Sequence, residues 1–484
     1  MRACVMKMLN FAFSELLRFP VIRLCSVDQD SLFESVEGEP VTCSEKVPRQ
    51  ARAGSKFRGP VEDSLFPEVL GARVPEGHLV REIARMLSEM DLDFLTRMYS
   101  HRGGVPYQPH NLLGVVLYGM TRGHRTGREL EQECIFDDRY RFLMGGQTPD
   151  DRTFDRFIER IEPYLEKLLQ KILSAARGRG MAKGNEVAID GCKVPGSSSW
   201  WKHRADSQEK PSDPDARLMN SHGRRMVGYN ALAAVDTADG LIVGAELVND
   251  QNDFHAAPVA VKAVGSQLGE LPAVAIADSG FESPAGIAAV EDMGVDTVFA
   301  CRDNLPECLV QNEDGHVVCP VGRVLVKRPT TKTQSDGRVY DVYRPEKGCR
   351  GCPLTKTCPF KGKSVEVPVG DDPAARFRNR ERVFSQAYDG SMTRRRGAET
   401  PFAFLRRHDR FERFRGRCLK MARAEYFLWV ASYNLRKILR RALEGFGHIF
   451  GAVLAAEWAK TRRWPAYKMQ MPSVALKLAH PAYL

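Results

Sequence analysis

Three acidic residues have sequence settings that suit metal-dependent chemistry: Asp190, Asp278 and Glu399. Asp190 ends the apolar run 187–189 and Asp278 ends the apolar run 274–277, and small residues follow each of them. Sheets with parallel strands present such side chains at the carboxyl edge. Glu399 lies among arginines on a predicted helix. Carboxylate oxygens suit Mg²⁺, and two such ions can activate a water and stabilise the leaving oxygen of a phosphodiester. The three residues therefore predict a metal site acting on nucleic acid.

Each of these acidic residues also has an ordinary structural interpretation. Asp190-Gly191 is a common turn pair, and Asp278-Ser279-Gly280 is a common loop or helix cap. A glutamate beside arginines usually lies on a solvated helix face. Glu412 and Glu425 are rival candidates for the third metal ligand. Asp236 and Asp253 could also be mistaken for ligands, but we predict that they are turn residues.

Composition favours a polyanionic partner. The 484-residue chain has 71 Lys and Arg against 61 Asp and Glu, which gives a formal charge of +10, and its pI is near 9.0. Arginines are concentrated in residues 376–441, around Glu399. A basic surface there would hold phosphates beside the metals, although an exposed charged helix would have the same composition.

Length and hydropathy indicate a soluble protein of two or three domains. No stretch approaches the ~20 apolar residues that span a bilayer, so we expect no membrane partner. Charged residues interrupt residues 1–25, and no cleavage site follows, so we expect a cytoplasmic protein. Its twelve cysteines are then expected to stay reduced.

Two regions differ in hydrophobic periodicity. Between residues 75 and 177, apolar positions recur at three- and four-residue steps, which predicts an all-α region. From residue 186, short apolar runs predict the order β-β-β-α-β-α-β, with a turn at 236–240 between the second and third strands. This order is typical of an α/β fold. Residues 195–222 are predicted to form an open polar loop, and residues 398–439 are predicted to be helical.

A cysteine-bearing tract interrupts this α/β pattern before Glu399. Cys319, Cys349, Cys352 and Cys358 could provide the four thiolates of a tetrahedral structural zinc site. The tract is poor in core residues, so a bound structural zinc ion would be needed to stabilise its fold. The alternative is that the four cysteines are packed as free thiols. We assign five other cysteines to structural roles: Cys134, Cys192, Cys301, Cys308 and Cys418.

With these residues in place, the chain resembles a DDE transposase of a bacterial insertion sequence. The resemblance is to the branch that has a helical N-terminal domain and a cysteine-bearing insertion before the glutamate, and it covers residues 57–440. Cys192, Met392 and Arg406 depart from the Thr, Tyr and Lys that the family pattern favours. Family-like motifs occur in order at residues 75–79, 107–109, 128–131, 149–154, 189–193, 213–217, 228–230, 277–281 and 433–435.

The resemblance implies a ribonuclease-H-like mixed sheet with flanking helices. It also implies that Asp190, Asp278 and Glu399 bind two Mg²⁺ ions, which Mn²⁺ could replace. The implied activity is binding of terminal inverted repeats, metal-dependent cleavage and strand transfer on double-stranded DNA. The family implies a homodimer on DNA, located in the cytoplasm at the nucleoid. The residues assigned to DNA are Lys193, Arg395, Arg406, Arg407, and Trp200 and Trp201, which could stack on an unpaired base or pack under their loop.

Two other functions remain open at this point. The departures at Cys192 and Met392 would suit a catalytically inactive DNA-binding protein derived from a transposase. An RNA-binding or interaction protein with a structural zinc ion would explain the cysteines and the charge but leaves the carboxylates unexplained.

The sequence divides into six predicted segments. They are a variable arm expected to be disordered (1–58), a helical DNA-binding and assembly domain (59–180), the first part of the catalytic core (181–310), the cysteine-bearing insertion (311–375), the segment with the glutamate-bearing helix (376–440) and a tail (441–484).

Overall fold

The computed structural model describes the chain from Phe57 to Lys460 with gaps. The described residues are 57–58, 73–99, 105–203, 211–221, 223–251, 253, 255–301, 310–311, 317–319, 321–333, 339–354, 356, 358, 362, 364–368 and 373–460, with the backbone alone beyond Arg441. The predicted arm lies outside the described residues except for Phe57 and Arg58. Every helix in the described part of the chain is too short or too polar to cross a bilayer.

The predicted helical region is confirmed, and its sequence explains its helices. Within the described ranges, Thr126 and Glu129 form a reciprocal capping box at the start of α4. Asp150 caps α6 by accepting from the Thr153 N–H at 2.9 Å. Before the first strand lie α1 (Leu79–Glu89), α2 (Asp93–Arg97), α3 (Pro109–Arg122), α4 (Gly127–Phe136), α5 (Asp138–Met144), α6 (Asp151–Ile161) and α7 (Leu165–Arg177).

The predicted mixed sheet is also confirmed, with β1 in its interior. β1 pairs antiparallel with β3 on one side and parallel with β5 on the other, and β5 pairs parallel with β6. The long strand β3 also pairs antiparallel with β2 and β4. The elements are β1 (Glu186–Pro195), β2 (Arg217–Ser221), β3 (Arg224–Asp236), β4 (Ile242–Val248), α8 (Ala256–Leu268), β5 (Val274–Ala277), α9 (Pro284–Glu291) and β6 (Asp296–Phe299).

One prediction for this region was wrong in part. Residues 195–222 were expected to form an open loop, but β2 lies within them and pairs with the first part of β3. β2 has only two apolar residues, Leu218 and Met219, between polar neighbours, so no alternating pattern marks it as a strand.

Three amide side chains join helices to strands by mimicking a strand partner. Asn379 accepts from the Phe299 N–H of β6 at 2.7 Å and donates to the Phe299 carbonyl at 2.9 Å. Asn434 does the same for Ile242 of β4. Gln267 does so for Ala245 of β4. These contacts satisfy backbone groups that would otherwise be buried without partners.

The cysteine-bearing insertion forms small sheets of its own. Two short strands, β7 (Val310–Gln311) and β8 (Val317–Val318), pair with each other. A three-stranded antiparallel sheet follows, in the order β11-β10-β9. Its strands are β9 (Leu325–Thr333), β10 (Val339–Pro345) and β11 (Val365–Pro368).

The C-terminal part is helical but not continuous, so the helical prediction for residues 398–439 is wrong at residues 408–417. A loop separates α12 from α13 because Asp409 turns inward and accepts from Trp429 Nε1 at 2.7 Å and from both terminal nitrogens of Arg436. Phe411 and Phe414 of this loop are buried. The helices are α10 (Pro373–Phe384), α11 (Ser391–Arg395), α12 (Glu399–Arg407) and α13 (Cys418–Lys460).

A buried ion pair joins the helical region to this loop and to α13. The Arg125 guanidinium donates to Glu425 at 2.6 Å and to the Arg413 carbonyl at 2.9 Å, and it lies 4.2 Å from the Phe411 ring centroid. Glu425 also accepts from the Arg415 N–H at 2.8 Å. Both charges are buried and paired with each other, so losing one partner leaves the other charge buried and unpaired.

We therefore expect Glu425→Ala to lower the free energy of unfolding by about 3–5 kcal/mol. Replacing both partners with apolar residues, as in Arg125→Met with Glu425→Leu, should cost much less because no buried charge remains. Urea denaturation of the variants measures this difference. The exposed pair Arg97–Asp93 provides the control, since Asp93→Asn should cause no measurable change. Equal losses in the single and double variants would contradict the expectation.

Candidate active site

Strand register brings Asp190 and Asp278 side by side. In the parallel pair β1·β5, Ile189 lies opposite Ala277. The next residue of each strand is one of the two aspartates, and neighbouring strands lie about 4.8 Å apart. Asp190 does not end its strand, as the sequence had suggested, because β1 continues to Pro195 along β3. It lies instead where the parallel pairing with β5 stops.

The turn after β5 fixes the second aspartate. The Gly280 N–H donates to the Asp278 Oδ1 atom at 2.8 Å. A Cβ atom at position 280 would lie 2.9 Å from that same oxygen. A side chain at position 280 would displace this oxygen, so glycine preserves the position that the Asp278 carboxylate has here.

Glu399 approaches β1 from outside the sheet. The α11 helix contacts β1 and β5, and the 3₁₀ turn Arg396–Ala398 contacts β1 and β3. Ala398 is buried there, and Glu399 begins α12 directly after it. Pro401 lies within the first turn of α12, a position that proline tolerates. The Glu399 side chain is 60% exposed, and its Oε1 atom lies 3.5 Å from Nη1 of Arg395.

Asp278 and Glu399 both affect the pKa of Asp190 electrostatically. The pKa of Asp190 is raised to about 7, mainly by burial and also by the charges of Asp278 and Glu399, whereas the Gly191 N–H and the Arg395 charge act in the opposite direction. Arg395 therefore offsets the negative charges near Asp190 only in part. A bound divalent cation would relieve this repulsion.

The donor chemistry of this site fits a hard divalent cation, but the ligands are not assembled into a compact cluster. Across the residues that the structure describes, no group of three or more His, Cys, Asp or Glu side chains is arranged to hold a metal ion. Two aspartates at one strand edge and a nearby glutamate supply the oxygen ligands that Mg²⁺ prefers. Glu399 would have to exchange Arg395 for the cation.

The residues predicted to contact DNA occupy different surroundings. Arg395 lies beside Glu399, and Arg406 donates to the Cys192 Sγ atom at 3.0 Å. Arg407 ends α12 with an exposed side chain. Lys193 points to the face of β1 opposite Asp190, since side chains alternate along a strand, and its Nζ lies 3.9 Å from Asp253. Trp200 and Trp201 belong to the 3₁₀ helix Trp200–His203, and their side chains lie outside the described part of the structure.

The rival carboxylates have other roles or no contact with the site. Glu425 is engaged by Arg125, and Asp236 accepts from the N–H groups of Gly184 and Ala238, which is the turn role predicted for it. Asp253 accepts from Asn230 at 2.6 Å. Glu412 is exposed in the loop before α13.

A basic cleft of about 510 Å³ opens next to the glutamate. It includes Thr400, the residue after Glu399, and it extends to the helical region through α1 and α3. Its cationic residues outnumber its two acidic residues, Glu82 and Asp239. The cationic residues are Arg122, Arg436, Lys437, Arg440 and Arg441.

The four predicted zinc ligands lie in two turns of the insertion. The chain turns at Cys319, whose carbonyl accepts from the Gly322 N–H, and again at Cys349, whose carbonyl accepts from the Cys352 N–H. Arg323 lies close to the second turn, since its guanidinium donates to the Gly348 carbonyl at 3.3 Å. Cys358 follows in the same segment, and all four cysteines are partly exposed.

Two contacts near the site were not predicted from the sequence. Arg394 pairs with Glu186 at the start of β1. Cys192, assigned only to a structural role, contacts Arg406. Arg394 is one of three consecutive arginines, and nothing in that run distinguishes it from its neighbours. No sequence signal could have found these pairs, because the partners are more than 200 residues apart.

Two family models match the chain. The model described as "Transposase domain (DUF772)" matches residues 68–160, and the model described as "Transposase DDE domain" matches residues 185–435. The chain belongs to the DDE transposase family. The predicted resemblance is thereby confirmed at the level of the family. Members of this family generally use divalent metal ions such as Mg²⁺.

Comparisons with individual proteins add little to this assignment. No curated protein matches this DDE transposase chain. A solved structure entitled "Cryo-EM structure of piggyBac transposase synaptic complex with hairpin DNA (SNHP)" is 13% identical, with 78% of each chain covered and a TM-score of 0.30. A likeness of that size carries no argument about this chain.

The raised pKa of Asp190 leads to a prediction for the metal-free protein. Folding favours the protonated carboxyl group, so its ionisation destabilises the folded state as pH rises from the ordinary value of 3.8 to about 7. Asp190→Asn should therefore stabilise the metal-free protein at pH 8, by about 2–4 kcal/mol.

Chemical denaturation in the presence of a chelator, at pH 8 and at pH 4.5, measures this effect. The gain should shrink at pH 4.5, where the wild-type carboxyl group is already protonated in the folded protein. A variant that gains the same stability at both pH values, or loses stability at pH 8, would contradict this account of Asp190.

Proposed function

We propose that this protein binds the terminal inverted repeats of a mobile element and catalyses metal-dependent DNA cleavage and strand transfer with Asp190, Asp278 and Glu399. The observation that carries the proposal is the register of β1 with β5, which puts two aspartates at one strand edge. The electrostatic effect of Glu399 on Asp190 supports it as the third member.

The three carboxylates would hold two Mg²⁺ ions, which Mn²⁺ could replace. Such ions supply an activated water and stabilise the leaving oxygen of a phosphodiester. Asp190 and Asp278 provide fixed oxygens because backbone pairing sets their spacing. Glu399 begins a helix and is partly exposed, so it can turn from Arg395 towards the aspartates. Arg395 would then be released to contact a phosphate.

We also propose that double-stranded DNA, as element ends and target, contacts the basic cleft beside Thr400 together with Arg406 and Arg407. The excess of cationic side chains in that cleft favours a phosphate backbone. A pair of DNA ends would require a homodimer on DNA. The opposite orientation of Lys193 and its proximity to Asp253 make it the weakest of the assigned DNA contacts.

A catalytically inactive DNA-binding protein is the second candidate. The pairing of Arg395 with Glu399 favours it, because this contact holds the third carboxylate away from a compact ligand cluster. The two candidates differ in whether the protein cleaves DNA with these carboxylates or only binds DNA.

Cleavage of a labelled DNA fragment that carries the element's terminal repeat separates these candidates. The wild-type protein should cut with Mg²⁺ and not with chelator. Asp190→Asn and Glu399→Gln should each lower the cleavage rate by about 10³-fold or more while DNA binding is retained, since each removes a metal ligand. Glu412→Gln is the matched control, because it changes a glutamate outside the site, and it should cut at the wild-type rate.

DNA binding without metal-dependent cleavage would overturn the catalytic proposal. If the wild-type protein binds the DNA but does not cut it with Mg²⁺ or Mn²⁺, the protein is a DNA-binding relative without activity. If Glu412→Gln abolishes cleavage and Glu399→Gln does not, the third ligand is Glu412.

We propose in addition that Cys319, Cys349, Cys352 and Cys358 bind a structural zinc ion. The two turns and the Arg323 contact between them support this, although the thiols are not clustered in the described residues. Elemental analysis should find about one zinc per chain. Cys352→Ser should lose it, whereas Cys301→Ser, a cysteine outside the tract, should keep it. A purified wild-type protein that contains no zinc, yet is as active and as stable as the zinc-bound protein, would contradict the proposal.

A further inference from the structure

Strand register does not position Glu399, unlike the two aspartates. Asp190 and Asp278 are held by backbone pairing between β1 and β5. Glu399 belongs to a helical segment that only packs against the sheet. Packing of short helices leaves room for small shifts, and a displacement of about 1 Å is enough to impair a catalytic group. Specific contacts are therefore needed to fix the distance between Glu399 and Asp190.

The first such contact lies before Glu399. Nε and Nη2 of Arg394 donate to the two carboxylate oxygens of Glu186 at 2.6 and 2.8 Å. Glu186 is the first residue of β1, four residues before Asp190. The Thr237 hydroxyl donates to the same carboxylate at 2.8 Å. Burial alone would raise the pKa of Glu186, but the hydrogen bonds from Arg394 and Thr237 hold it below its ordinary value. This two-point geometry restricts both distance and direction.

The second contact lies after Glu399. Nη2 of Arg406 donates to the Cys192 Sγ atom at 3.0 Å. Cys192 is two residues beyond Asp190 and therefore on the same face of β1. Arg406 follows Glu399 by seven residues, about two helical turns, so both project from the same side of α12. Cys192 is buried, and its Sγ atom is the acceptor of this hydrogen bond.

We propose that these two contacts form a clamp, in which Glu186 and Cys192 act as positioning residues that hold the segment 394–406 along β1 and so place Glu399 beside Asp190. The clamp rests on the metal-binding role proposed for the three carboxylates. Both of its anchors lie on the strand that carries Asp190. The position of Glu399 is thus set against Asp190 directly, and an anchor on each side of Glu399 prevents the segment from pivoting.

Binding of Mn²⁺ alone, followed by electron paramagnetic resonance of the free ion, tests the clamp without relying on activity. Glu186→Gln weakens the first anchor, and it should raise the dissociation constant for Mn²⁺ about three- to tenfold. The metal-free melting temperature should change little, because the pair is partly exposed. The charge-exchanged double variant, Glu186→Arg with Arg394→Glu, should recover part of the lost affinity.

Glu291→Gln is the matched control for the first anchor. The Glu291 carboxylate accepts from Arg378 and Arg382 and is 13% exposed, against 19% for Glu186, but it lies on α9. The Glu291→Gln variant should therefore have the wild-type affinity for Mn²⁺. A loss of affinity equal to that of Glu186→Gln would mean that ion pairs act through general stability.

The second anchor has its own matched pair of variants. Cys192→Ser keeps an acceptor for the Arg406 guanidinium and should retain wild-type Mn²⁺ affinity. Cys192→Val keeps a similar volume without the acceptor and should raise the dissociation constant, again about three- to tenfold. Comparison of the two separates the hydrogen bond from the packing of the side chain.

The outcomes distinguish the clamp from the proposed function. If Asp190→Asn weakens Mn²⁺ binding but Glu186→Gln and Cys192→Val do not, the metal site stands and the clamp is overturned. If these two variants lower the metal-free melting temperature with no change in Mn²⁺ affinity, their role is only structural, which also overturns the clamp. If Asp190→Asn leaves Mn²⁺ binding unchanged, the proposed metal site fails and the clamp with it.

Discussion

The parallel pairing of β1 with β5 is the constraint on which the rest of the site depends. Only four residues of each strand pair, yet this short ladder decides that Asp190 and Asp278 emerge together. A shift of one residue would turn one aspartate to the opposite face of the sheet. Val187 to Ile189 of β1 and Ala275 to Ala277 of β5 are buried, so such a shift would expose the core, and the packing of the sheet thereby protects the geometry of the carboxylates.

The electrostatic state of the site follows from this geometry. Asp190 is sufficiently buried to have its pKa raised to about 7, and the charges of Asp278 and Glu399 contribute to that rise. Nearby positive charge is supplied by Arg395, which is paired with Glu399. Strand pairing and helix packing thus hold like charges near Asp190, and Arg395 offsets them only in part. Repulsion of this kind is typical of sites that complete their charge balance with a ligand.

The C-terminal helices are attached to the sheet by polar contacts at long sequence separation. Asp213 accepts from the Tyr229 hydroxyl at 2.6 Å and from the Cys418 N–H at 3.1 Å, at the start of α13. Asp215 accepts from the next N–H, that of Leu419. Together with Asn434 against β4, these contacts bind α13 to the sheet. The Arg125–Glu425 pair then joins the same helix to the helical region.

The sequence by itself determined the kinds of element and the strand-end settings of the two aspartates, because helix and strand periodicity and turn glycines are local properties. It also placed Glu399 on a helix among arginines. Tertiary structure alone decided that β1 continues past Asp190 and that β2 pairs with β3. It also decided that a loop beginning near Asp409 interrupts the region 398–439, which was predicted to be helical. It alone decided the partners of Glu186, Cys192 and Glu425. Each of these depends on contacts between distant segments, such as Arg406 with Cys192 across 214 positions, and no periodicity records which distant residues will meet.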